Sequence, residues 1–257
     1  MLTSTLLLLL VASAYAAPAV NNAPEIVNNN AAYANAVVIY TPTTPDNLKC
    51  LKSSGYQAVF IRAAVNGGFE PNSVVTVRNA YNSGLGVEIY MDPQPNSDLS
   101  GSQQLDIMMQ GLNNNGIIVR TVWFTVTVQP TWPADQIKNT VFINSILTRA
   151  RQLGLSVGIY TNSVDWTRIT NNWTGAGSDV FLWYYNVSGH GVAGESAPNF
   201  DDYVAFGGFK HVLIKQYALT ETVCKLQVNR DVYVVGISAA AKSVAKDGKI
   251  VVGRIGL

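Results

Sequence analysis

Thr121-Val122-Trp123-Phe124-Thr125-Val126-Thr127-Val128 decides how the rest of this chain is read. An uncharged run of β-branched and aromatic residues has the length and composition of a β-strand. No acidic residue occurs anywhere from Thr121 to Gln129. Runs of the same character recur at 36–40, 58–63, 86–91, 156–161, 180–187, 211–218 and 228–235. Helix-like patterns lie between several of them, at 45–53, 72–83, 103–113 and 135–153. In the last, Ile137, Val141, Ile143, Ile146, Leu147 and Ala150 make an apolar stripe, and Gly154 follows as a stop. Strands alternating with helices predict an α/β fold, either a closed parallel barrel or a doubly wound sheet. Residues 188–208 are glycine-rich and loop-like, so the helices thin out in the second half.

The ends of the chain read differently from its middle. Leu6 to Val11 form a short apolar run, and Ala14-Tyr15-Ala16 offers the small-x-small pattern that precedes a signal-peptidase cut. Residues 1–16 are therefore expected to be a signal peptide, and the protein to be secreted and extracellular. Residues 17–35, rich in Ala, Asn and Pro, read as a flexible leader, 36–235 as one domain, and 236–257 as a basic tail. That tail carries Lys242, Lys246, Lys249 and Arg254 against Asp247. It reads equally well as a short helix with a strand-like end or as a disordered extension. No run reaches the roughly 20 apolar residues a spanning helix needs, so no membrane anchor is expected.

A net charge of +1 gives no reason to expect a nucleic-acid partner. Charged residues are 13% of the chain, about half the usual quarter. Asn172-Trp173-Thr174 and Asn186-Val187-Ser188 are glycosylation triplets that would offset that deficit. His190 and His211 are too few and too separated for a metal site, and no phosphate-binding or nucleophile-elbow motif is present. No metal or cofactor is expected, and a monomer is. Cys50 follows the first strand and Cys224 precedes the last. In an oxidising compartment the two most simply pair, with two buried free thiols as the alternative.

Five segments in register carry a resemblance that covers roughly residues 36 to 235. They are Cys50-Leu51-Lys52-Ser53-Ser54-Gly55-Tyr56, Val87-Glu88-Ile89-Tyr90-Met91-Asp92-Pro93, Gly158-Ile159-Tyr160-Thr161, Leu182-Trp183-Tyr184 and Ile214-Lys215-Gln216-Tyr217-Ala218. In order and spacing the chain resembles the glycoside hydrolase family 25 lysozymes, in their invertebrate lysozyme-like branch. The resemblance implies a TIM-like (β/α) barrel of glycosidase type, with eight strands and a reduced set of helices. It also implies peptidoglycan or a related glycan as partner.

In that family the 121–128 strand ends Asp-x-Glu, and these carboxylates cut the glycan; here the positions hold Thr125 and Thr127. The aspartate of the first strand corresponds to Val38. The aspartate near the start of the eighth strand corresponds to Asp231, which is retained. Asp92, standing where the family has an aromatic residue, is a possible surrogate acid. A threonine hydroxyl cannot act as a tuned carboxylic acid, nor carry negative charge beside an oxocarbenium ion. The resemblance therefore implies a lysozyme-like protein that has lost its catalytic carboxylates and binds cell-wall glycan. Tyr90, Asp92, Trp123, Tyr160, Trp183 and Asp231 are its expected contacts, and Tyr185 replaces a smaller residue at the mouth. Two alternatives stay open: a working lysozyme with Asp92 and Asp231 as relocated acids, and an interaction protein with no affinity for sugar. By strand alternation Glu88 shares the face of Tyr90 and Asp92, deeper in, and reads as a buried structural carboxylate.

Overall fold

The apolar runs form strands and the patterns between them form helices. A computed structural model describes residues 33–128, 132–235 and 244–256. The expected signal peptide, most of the leader and residues 236–243 of the tail lie outside the described residues. The elements in order are β1 (Tyr33–Ile39), α1 (Pro45–Ser53), β2 (Tyr56–Val65), β3 (Gly68–Phe69), α2 (Asn72–Asn82) and β4 (Gly86–Met91). Next come α3 (Gly101–Asn114), β5 (Ile117–Val119), β6 (Thr121–Thr125), α4 (Gln136–Gln152), β7 (Ser156–Thr161), α5 (Ser163–Thr170) and β8 (Phe181–Tyr185). The chain closes with β9 (His211–Val223), β10 (Leu226–Val234), β11 (Val244–Lys246) and β12 (Lys249–Val252). Thr44 and Ser100 start α1 and α3 with reciprocal capping boxes. Asp135 and Asn162 cap α4 and α5 through their side chains.

Eight strands close a barrel in the order β1-β2-β4-β6-β7-β8-β9-β10, with β10 returning to β1. Unlike the expected parallel barrel, this one is mixed, because β10 runs antiparallel to both neighbours. The cause is local. Cys224 and Lys225 hold φ of 52° and 63° in the connection between β9 and β10. Two left-handed residues in a tight hairpin match the twist of the flanking strands. Cys224 also bonds to Cys50, with Cα atoms 5.8 Å apart, so the expected disulfide ties that hairpin to α1.

Alternation along the strands separates two cores. Outward residues such as Val59, Ile89, Val122 and Ile159 pack under the helices. Inward residues fill the barrel with large rings: Phe60, Tyr90, Trp123 and Trp183. Trp123 fits because its neighbour on β7 is Gly158, where a Cβ would stand 2.1 Å from the indole. Such overlap is far inside ordinary van der Waals contact, so glycine is required there.

The end of the tail closes the floor of the barrel. β11 and β12 form a hairpin, and β12 pairs with β5. Beyond it, the Arg254 and Ile255 amides donate to Glu88 Oε1 at 2.7 and 3.0 Å, and Trp123 Nε1 donates to Oε2 at 2.9 Å. Burial outweighs these three donors and lifts the Glu88 pKa to about 7. A carboxyl raised on folding adds stability that is complete below its unfolded pKa and is lost as pH rises through the folded value. Between about pH 4.5 and pH 7.5 the protein should therefore lose roughly 3 kcal/mol more than a Glu88→Gln variant does. Urea unfolding of both proteins across that range measures the difference in slope.

The connection from β8 to β9 contains no α-helix and is held by charge. Lys215 is fully buried, and its Nζ donates to Asp202 Oδ2 and to the Ala197 carbonyl, both at 2.7 Å. Tyr184 and Asn186 also donate to Asp202, at 2.7 and 2.6 Å. Asp202→Ala would leave a buried ammonium without its anion, at an expected cost of about 3 kcal/mol. Adding Lys215→Met should restore most of the loss, because the unpaired charge is then gone; thermal unfolding of both variants tests this.

Candidate functional site

A cavity of about 650 Å³ opens at the C-terminal ends of the parallel strands. Each strand contributes through its last inward residues, because alternation that points Tyr90 inward also points Asp92 inward. Asp92 and Thr125 stand at neighbouring positions just past and at the ends of β4 and β6, and Thr125 Oγ1 donates to Asp92 Oδ1 at 2.9 Å. Arg62 on β2 reaches Asp92 Oδ2 at 3.4 Å. Burial raises the Asp92 pKa, opposed by the hydrogen bond from Thr125 and by the Arg62 guanidinium.

The opposite wall is aromatic. Tyr160 and Tyr185 stack with centroids 5.0 Å apart and planes 23° from parallel, and Tyr160 meets Trp183 edge-on at 4.6 Å. The Tyr160 hydroxyl donates to Gln216 Oε1 at 2.6 Å. Burial raises the pKa of both tyrosines, so both phenols are neutral donors at ordinary pH.

Tyr90, Asp92, Tyr160 and Trp183 are thus brought together on the cavity wall, which Val38, Thr125 and Thr127 also line. The other two expected contacts lie elsewhere. Trp123 is fully buried one layer down, its indole bonded to Glu88. Asp231 is also fully buried and does not line the cavity. Trp183 Nε1 donates to Asp231 Oδ1 at 2.9 Å and Gln216 Nε2 to the same atom at 3.4 Å. Burial pushes the Asp231 pKa well above the carboxylate range despite these bonds. The physical reason for both displacements is depth: alternation assigns a face, and these residues sit below the rings that form the floor.

Asp165 was not anticipated. Its Oδ2 accepts the Val128 amide at 2.9 Å and the Tyr185 hydroxyl. It thereby ties the chain after β6 to α5 and orients the Tyr185 ring, while the Val126 amide still donates to the Tyr160 carbonyl of β7 at 2.8 Å. The sequence signal was present in Asn162-Ser163-Val164-Asp165, a capping residue followed by an acid at the third helical position. Of the two glycosylation triplets, Asn172 is exposed and its Oδ1 accepts the Gly207 amide, whereas exposed Asn186 spends an amide proton on Asp202.

Chemically, this wall offers stacking faces, neutral hydroxyls and amides, and one carboxyl. That set can bind a polyhydroxylated ligand; it places a single acid where one could touch the ligand.

The family described as Lysozyme-like protein 1 matches residues 29–217. Lysozyme-like protein 1 of Caenorhabditis elegans is 55% identical over 224 residues, spanning 86% of this chain and 75% of that protein. Probable GH family 25 lysozyme 2 of Dictyostelium discoideum is 31% identical over 194 residues, covering 75% of this chain and 87% of its own. Among solved structures, the bacterial lysozyme from Streptomyces coelicolor superposes with a TM-score of 0.63 at 21% identity. That alignment covers 80% of this chain and 94% of the lysozyme, and it bears on the fold.

Proposed function

The chain belongs to the lysozyme-like proteins of glycoside hydrolase family 25 type, and from that membership and the cavity wall we propose that it binds cell-wall glycan without cleaving it. The reading places it outside the cell, in defence against bacteria or in digestion. Ala14-Tyr15-Ala16 and the Cys50–Cys224 bridge support the extracellular setting.

One observation carries the loss of cleavage: among the described residues that line the cavity, Asp92 is the only acid. Glycoside hydrolysis needs an acid on the leaving oxygen and a second charged group across the scissile bond. A hydrolase built on Asp92 and Asp231 would need Asp231 to reach the ligand, but Asp231 is fully buried, hydrogen-bonded to Trp183 and absent from the cavity lining.

The retained aromatic wall supports binding, because the C–H faces of a pyranose are apolar and rigid rings match them. Tyr185→Ala removes one of the two stacked rings and should weaken retention on insoluble peptidoglycan about tenfold. The deciding experiment is muropeptide release from purified peptidoglycan, read by mass spectrometry against heat-inactivated protein. The expected result is binding with no release. Release by the wild type would overturn the inactive reading, and absence of binding would leave an interaction protein with no sugar ligand.

A further inference from the structure

Among the described residues, the cavity wall has one acidic group, Asp92, and no lysine or arginine. The nearest cation in contact with Asp92 is Arg62, which meets that carboxylate at 3.4 Å and does not itself line the cavity. On the far side the groups available to a ligand are neutral: the Tyr160 and Tyr185 phenols and the Gln216 amide. His190 stands at the rim, with its Nδ1 engaged by the Thr220 hydroxyl at 2.8 Å.

An ionised carboxylate offers about four acceptor sites. Asp92 has two protein donors, Thr125 and Arg62, so it keeps capacity for a sugar hydroxyl or acetamido N–H. A ligand that brings its own carboxylate meets like charge in a partly enclosed space and finds no cation on the wall to compensate it.

We propose that the cleft selects uncharged N-acetylhexosamine chains over chains of the same backbone that carry carboxylates, and that Asp92 sets this preference. The proposal rests on the glycan-binding reading above and narrows its ligand. Thr125 is part of the device, because its hydroxyl orients Asp92 Oδ1 while adding no charge.

Calorimetric titration of the mature protein with three probes tests it. They are an N-acetylglucosamine hexasaccharide, a hexasaccharide alternating N-acetylglucosamine with N-acetylmuramic acid, and the latter with its carboxylates converted to amides. The amide form has the bulk of the acid without its charge, so it separates electrostatics from fit. The expected result is that the uncharged hexasaccharide and the amide both bind about tenfold tighter than the acid. Asp92→Asn should bring the acid to within about threefold of the amide. Equal affinity of wild type for acid and amide, or a ratio that Asp92→Asn leaves unchanged, overturns the proposal while the glycan-binding reading stands. Failure of all three probes to bind overturns both.

Discussion

Cys50→Ala combined with Cys224→Ala is expected to lower stability by roughly 5 kcal/mol while leaving the folded structure in place. The bridge joins residues 174 apart in sequence, and a loop of that size removes much freedom from the unfolded chain. In the native state little would change locally. Asn47 Nδ2 still donates to the Cys224 carbonyl at 2.9 Å, and β9 still pairs with β10 on both sides of the turn. The cost therefore falls on the unfolded ensemble, and folded spectra of variant and wild type should coincide. Because domains have only about 5 to 15 kcal/mol in hand, the loss should show as a large drop in the guanidinium midpoint. A drop worth less than about 1 kcal/mol would mean that the unfolded chain already holds these segments close.

The bridge is also legible in the sequence, because two cysteines in an oxidising compartment most simply pair. Strands and four helices were legible because their signals are local: β-branched runs, the apolar stripe that became α4, a glycine stop at Gly154. The antiparallel direction of β10 was not legible. Its turn is Cys224-Lys225, without the Asn-Gly or Asp-Gly pair that announces such a hairpin. Helix α5 escaped because its eight residues make only about two turns, too short for a stripe to repeat, although Val164 turns to solvent and Trp166 and Ile169 are buried. The hairpin of β11 and β12 depends on pairing with β5, more than a hundred residues earlier, which no local pattern encodes.

The site divides along the same line. Alternation placed Tyr90 and Asp92 on one face and the family resemblance pointed to Tyr160 and Trp183 beside them, and the cavity collects all four. Alternation is silent about depth, so Trp123 and Asp231 share the inward direction of these residues while lying beneath them. Glu88 shows the converse. Its inward position implied a polar partner, and the partners are the Trp123 indole and two amides of the tail.

Installing at 125 and 127 the acids that the family resemblance implies should not by itself produce cleavage. Thr125→Asp with Thr127→Glu is expected to stay at background in the muropeptide assay, because Asp92 occupies the space that the new Asp would need electrostatically. Thr125 Oγ1 already sits 2.9 Å from Asp92 Oδ1, so a carboxylate at 125 would lie within hydrogen-bonding distance of another. Two such groups cannot both ionise, and one is held protonated at neutral pH. Adding Asp92→Asn turns that repulsion into an amide donor facing a carboxylate. The residue at 125 can then remain charged while that at 127, also on the cavity wall, serves as acid. A positioned acid–base group contributes about a hundredfold to ten-thousandfold, so release at least a hundredfold above the double variant is the expected signal of the triple variant. Equal activity in double and triple variants would clear Asp92 of this role. A triple variant that folds, binds glycan and still releases nothing would locate the loss in how the sugar lies across β6, with Tyr185 and the Asp165 contact that fixes it as the next residues to change.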